Sequence, residues 1–139
     1  MSAKSSVINF GIAWLALCAA FIAHVVDEAL TDFLSFYNPT VAAIRDQMPV
    51  FPMPMFTFQV WLTMLVIANA VLLLLSVFAF RGARWMIPLS YAFAVIMFLN
   101  GLLHIIGSFF FGRLLPGVYS SPVLLIASSF LILRARQID

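Results

Sequence analysis

Four long apolar runs, separated by short polar punctuation and one longer connection, set the plan of this chain. They cover about residues 7–30, 57–80, 86–111 and 118–133, close to the roughly 20 residues that a helix needs to cross the hydrocarbon core of a bilayer. Arg81-Gly82-Ala83-Arg84 and Gly112-Arg113-Leu114-Leu115-Pro116-Gly117 read as tight turns between the later runs. Neither a heptad pattern nor an internal repeat organises the runs. The pattern predicts an all-α integral membrane four-helix bundle, a single membrane domain over residues 1–139, with a long outer loop between helices 1 and 2.

That loop spans about residues 31–56. Asn38-Pro39 has the form of a helix start, a capping side chain followed by proline in the first turn, so Thr40 to Gln47 is expected as a short interfacial helix. Pro49, Pro52 and Pro54 then interrupt any regular helix through Phe56. An apolar, irregular segment of this kind packs over the helix ends, either as a lid or as a plain membrane-surface loop.

Composition supports the membrane reading. The 139 residues are 65% hydrophobic and 9% charged, against about a quarter charged in soluble domains, and mean hydropathy is +1.13. After the polar start at residues 1–6, Lys4 ahead of an apolar run imitates a secretory signal. Leu15-Ala16-Leu17-Cys18 imitates a lipoprotein cleavage site, but Leu17 is bulky for that role and the run continues beyond it, so the segment reads as a retained helix. The lone Cys18 cannot form an internal disulfide.

The net charge of +2 is spread along the chain without the basic stripe of a nucleic-acid binder. With four spans, Lys4, Arg81, Arg84, Arg134 and Arg136 share one side and Arg45 and Arg113 the other. The excess of basic residues predicts an inner-membrane protein with both termini cytoplasmic. Trp14, Trp61 and Trp85 read as interface anchors, and the phenylalanines and methionines as lipid-facing or packing residues.

The candidate chemistry lies in His24, Asp27 and Glu28 near the outer end of the first span. Residues three and four positions after His24 return to its side of a helix, at roughly −60° and +40°. On the third span Asn100 and His104 share a face, Gly101 leaves space beside the histidine, and Ser108 continues the face. His24 lies about 17 residues from the cytoplasmic end of its span, roughly 25 Å, and His104 about 18 residues from its own, so the two sites fall at one depth. Thr31, Tyr119, Ser120 and Ser121 gather at that end, whereas Asp32 reads as headgroup-level and Asn69 as a packing residue.

Ionisable groups inside a span face the bundle interior and point to function. His24, Glu28 and His104 suit a divalent transition metal, zinc or iron, with Asn100 orienting a ligand and Asp27 as ligand or base. The same groups without metal suit acid–base chemistry, with Asp27 and Glu28 as catalytic carboxylates. A third reading is a polar network that pins helices together.

His24-Val25-Val26-Asp27-Glu28 followed by Asn100-Gly101-Leu102-Leu103-His104 resembles the HXXEE family of small bacterial membrane proteins, which carries His-x-x-Glu-Glu and Asn-x-x-x-His motifs. Arg113-Leu114-Leu115-Pro116-Gly117 is similar to a later arginine and Pro-Gly element, and the resemblance covers about residues 10–130. Asp27 stands where the first glutamate of the motif would be, which keeps the charge and shortens the reach. The resemblance implies a shared polar site and brings no established activity with it.

The function expected is therefore a membrane-embedded, metal-dependent enzyme acting on a lipid or other hydrophobic substrate at a site between the first and third spans. The alternatives are a metal-free isomerase-like or ligand-binding site, or a non-enzymatic membrane subunit with a structural polar cluster. Membrane lipids, a hydrophobic small molecule and a homo-oligomeric or membrane partner are the expected associates.

Overall fold

The apolar runs become helices, with Pro88 and Pro122 confined to first turns, where proline is tolerated. A computed structural model describes residues 3–50 and 52–138; residues 1–2, 51 and 139, which fall in the polar start, the proline segment and the chain end, lie outside the described residues. The elements are α1 (Ala3–Leu30), α2 (Phe33–Gln47), α3 (Phe58–Phe80), α4 (Met86–Phe111) and α5 (Ser121–Ala135), with no strand among the described residues. α1, α3 and α4 are long and apolar enough to cross a membrane, whereas α5 is a shorter apolar helix of 15 residues.

α1 is the central element. It packs against α3 on one side and α5 on another, while α4 leans mainly on α5 and touches α1 only slightly. α3 and α4 have little direct contact, so the bundle is open between them. The core runs along α1 through Phe10, Trp14, Leu17 and Phe21 and meets Phe93 of α4 and Leu124 and Leu131 of α5. Among apolar surroundings such helices are held by close packing and by interhelical hydrogen bonds rather than by expulsion of water.

Trp14 is not an interface anchor. It is fully buried, lies 5.3 Å from the Phe93 ring, and donates its indole N–H to the Leu72 carbonyl of α3 at 2.9 Å. A buried indole needs an acceptor for its N–H, and the adjacent helix backbone provides one. Trp61 is also buried, against Phe33 and Phe58, and only Trp85, half exposed at the start of α4, has the exposure expected of an anchor.

The 31–56 connection is more helical than its prolines suggest. α2 begins at Phe33 and runs through Pro39, rather than starting at Asn38. Asp32 makes the corner with a left-handed backbone (φ 56°) and accepts the Ser35 hydroxyl. Phe33 and Tyr37 stack on each other at 5.3 Å, and Phe33 faces Trp61, so aromatic packing carries the helix through the one amide hydrogen bond that proline cannot make. Asn38 serves the loop instead of a helix end: its Nδ2–H donates to the Phe56 carbonyl at 2.9 Å, and its Oδ1 accepts the Phe56 N–H at 3.1 Å. Tyr37 adds a hydrogen bond to the Pro54 carbonyl at 3.1 Å. The proline segment is thereby folded back onto α2.

α5 begins at Ser121, three residues later than the apolar pattern suggests, because residues 118–120 complete a turn. Replacing Asn38 by alanine removes both bonds to Phe56 and should cost about 1–3 kcal/mol. The expected result is a lower melting temperature in detergent and faster amide exchange at Phe56, with exchange in α1 unchanged.

Candidate metal centre

Six polar side chains and one glycine converge at one end of the bundle. α1 presents His24, Asp27 and Glu28, α4 presents Asn100 and His104, and the α4–α5 turn adds Gly117 and Ser120. Because α1 and α4 barely touch, this turn is the third wall of a site that the sequence placed between two spans. Ser108 fastens the turn: its hydroxyl donates to the His104 carbonyl at 2.7 Å and accepts the Leu115 N–H at 2.9 Å.

Glu28 lies between the two imidazoles. Its Oε1 is 3.2 Å from His104 Nε2 and 3.6 Å from His24 Nε2, and the rings meet edge to face at 4.9 Å. His24 is 0% exposed, Glu28 6% and His104 8%, so bulk solvent solvates none of them. One donor atom from each of the three can be chosen so that all lie within 4.8 Å of one another. Ligands about 2.0–2.2 Å from a tetrahedral ion stand about 3.3–3.6 Å apart, which the two Glu28 separations already approach. The set of two imidazoles and a carboxylate is chemically apt for zinc or iron.

Gly117 lets the α4–α5 turn pack directly against all three side chains. Its φ of +84° is one that side-chain-bearing residues rarely adopt, and a Cβ there would fall 2.9 Å from His104 Cε1, 3.0 Å from His24 Cε1 and 3.1 Å from Glu28 Cγ. Gly101 does a different job from the one expected of it. A Cβ there would meet the Ser121 carbonyl at 3.2 Å and Leu124, so this glycine lets α5 approach α4 rather than making space beside His104.

The hydrogen bonds determine which nitrogen of His24 carries the proton. Ser120 Oγ has a single hydrogen, and its shortest acceptor is Asp27 Oδ2 at 2.7 Å; the carbonyl of Gly117 is farther, at 3.2 Å. The carboxylate also accepts the Ser120 backbone N–H at 2.8 Å. With the hydroxyl hydrogen directed to Asp27, the 2.8 Å contact between Ser120 Oγ and His24 Nδ1 has Nδ1–H as donor. His24 Nε2 is then a lone pair, which accepts the Asn100 Nδ2–H at 2.9 Å and faces Glu28. Asp27, Ser120 and His24 form a relay that holds the imidazole by its far side, as carboxylates do for metal-bound histidines.

This arrangement separates Asp27 from the other predicted ligands, directing its carboxylate to Ser120 rather than into the cluster of His24, Glu28 and His104. Asn100 touches His24 across the helix gap, not the His104 of its own helix face. Phe33 of α2 closes one side, its ring 5.9 Å from His104. Thr31, just past the end of α1, donates to the Asp27 carbonyl, Asp32 is exposed, and Asn69 donates to the Leu65 carbonyl of its own helix, so none of these enters the cluster. Gly117 and Phe33 were not singled out for the site by sequence, and Ser120 only as a neighbour at the same depth; Pro116-Gly117 beside two serines was the available signal.

Ser120→Ala should fold with about 1–2 kcal/mol less stability and lose the Nδ1–H preference of His24, read from histidine ¹⁵N chemical shifts. Gly117→Ala, by contrast, should disturb both histidine signals, because its methyl group would occupy the space between them.

A search of curated proteins and a search of solved structures each find no match. A family model described as "Protein of unknown function with HXXEE motif" matches residues 14–132, which include every residue of the cluster just described. The motif is seen here as His24-Val25-Val26-Asp27-Glu28, whose first acidic position bonds Ser120 and whose second lies between two histidines, and the chain belongs to the HXXEE family.

Proposed function

We propose that this protein is a membrane-embedded metal-dependent enzyme acting on a lipid or other hydrophobic substrate, with His24, Glu28 and His104 as ligands to zinc or iron. The observation that carries this reading is the buried triangle of two imidazoles and a carboxylate, over which the turn at Gly117 closes. Three protein ligands with a free position is the pattern of catalytic rather than structural zinc sites. A divalent ion there supplies Lewis acidity. Ligation through His24 Nε2 exchanges the Asn100 N–H for the ion, while Asp27 and Ser120 keep the imidazole oriented from behind. Glu28 also lines the open side of the bundle, which supports a second role as proton acceptor through the oxygen it does not use as ligand.

We further propose that α1, α3, α4 and α5 all span a bacterial inner membrane as a four-helix bundle with both termini cytoplasmic. α5 is about 22 Å long at 1.5 Å per residue, so its crossing includes the turn that precedes it. Lys4, Arg81, Arg84, Arg134 and Arg136 gather at the inner end and Arg45 and Arg113 at the outer. α2 and the proline segment then cover the site from outside.

A metal-free acid–base site is the second reading, favoured by the Asn100 amide that already satisfies His24 Nε2. Elemental analysis of protein purified without a His-tag separates the two. Near-stoichiometric zinc or iron is expected in wild type and should be lost in His24→Ala and in His104→Ala. Asp27→Ala should retain the site with about 10–100-fold weaker metal affinity, since it removes only the support behind His24. Metal-free wild type after gentle extraction, with a melting temperature indifferent to chelator, sinks the metal reading and leaves the acid–base one.

A further inference from the structure

The gap between α3 and α4 is a cleft of about 440 Å³ whose floor is α1. Trp61 and Leu65 form one wall and Met97 and Asn100 the other, with Phe21 and Glu28 below. Every lining group is apolar except two, Glu28 and Asn100, and both belong to the site already described. Glu28 is 94% buried yet faces this space, so the cleft carries a polar end and a long apolar remainder. Phe33 caps the polar end, and from Glu28 to Phe21 the floor runs about 10 Å along α1 toward the bundle centre. Leu99 and Leu103 at the rim are more than half exposed, so the opening is lateral, toward the surroundings of the helices rather than toward the chain's outer end.

We infer that this cleft takes one hydrocarbon chain of a lipid-like substrate, entering sideways between α3 and α4, with a hydroxyl-bearing head at Glu28 and Asn100. The volume lies within the range of about 300–1,000 Å³ for small-ligand sites. It is too small for more than about one turn of a neighbouring helix, which is 10–12 Å across with its side chains. Glu28 turns Oε1 to the histidines, so a hydroxyl in the cleft gives this carboxylate a further hydrogen bond, whereas a purely hydrocarbon occupant offers none. The inference rests on the proposed membrane placement and names the substrate class for the proposed centre.

The test irradiates the full chain in lipid nanodiscs with a hexadecanol bearing a diazirine on its chain, and maps the cross-linked peptides. Saturable labelling at residues 61–65 and 97–103, competed by unlabelled hexadecanol, is expected. Leu65→Trp and Met97→Trp should each reduce it by about tenfold or more, and Ile126→Trp, on the exposed face of α5, should not. Labelling that never saturates, that spreads evenly over α3, α4 and α5, or that survives both tryptophans in folded protein overturns the inference. So does a cross-linked second copy that shields α3 and α4 from the probe. Metal content measured on the same samples keeps the two proposals apart. Saturable labelling of metal-free wild type removes the metal and leaves the cleft; metal-loaded protein without saturable labelling removes the cleft alone.

Discussion

Enclosing Glu28 among apolar helices is the constraint to which the α2 end of this molecule is built. A carboxylate withdrawn from water needs a hydrogen-bonding partner, and His104 Nε2 at 3.2 Å is the one within reach, with His24 beside it at 3.6 Å. Those histidines must themselves be satisfied, and this recruits more of the chain. His24 takes Asn100 on one nitrogen and Ser120 on the other, and Ser120 in turn is held by Asp27 through both its hydroxyl and its backbone N–H. One buried charge thus ties together α1, α4 and the start of α5.

The consequence for architecture is uneven packing. α5 is pressed against both α1 and α4, closely enough that a methyl group at Gly101 would crowd the Ser121 carbonyl at 3.2 Å. α3 makes its contacts with α1, anchored by the Trp14 indole on the Leu72 carbonyl, and stands apart from α4. Where helices lie among apolar surroundings there is little to force such a gap shut, because exposed leucine and isoleucine carry no penalty there. The polar cluster is therefore rigidly held on the α5 side and open on the α3 side. That asymmetry suits a proposed centre whose ligands stay fixed while a hydrophobic substrate reaches it laterally.

α2 and the proline segment complete the enclosure by local means. The double hydrogen bond between Asn38 and Phe56 closes the connection on itself, and Phe33 carries its aromatic surface to both Trp61 and His104. The same residues that fold the loop also seal the outer side of the site.

By itself the sequence determined the helical class, the long apolar helices, the depth at which His24 and His104 meet, and the residues of the central triangle. These follow from run length, helical periodicity and the rise per residue, all of which are local properties. It did not determine the roles that depend on which neighbour arrives. Asp27 shares a helix face with His24 and looks equivalent to Glu28, yet the Ser120 amide lies on its side and draws the carboxylate away. Trp14 has the composition of an interface anchor and becomes core because α3 offers it an acceptor. Asn38-Pro39 has the form of a helix start and lies inside α2 because Phe56 claims the asparagine. Gly117 is a turn residue in any sequence reading; only the fold, by bringing it against two imidazoles and Glu28, makes its missing side chain the condition for closing the turn over the site.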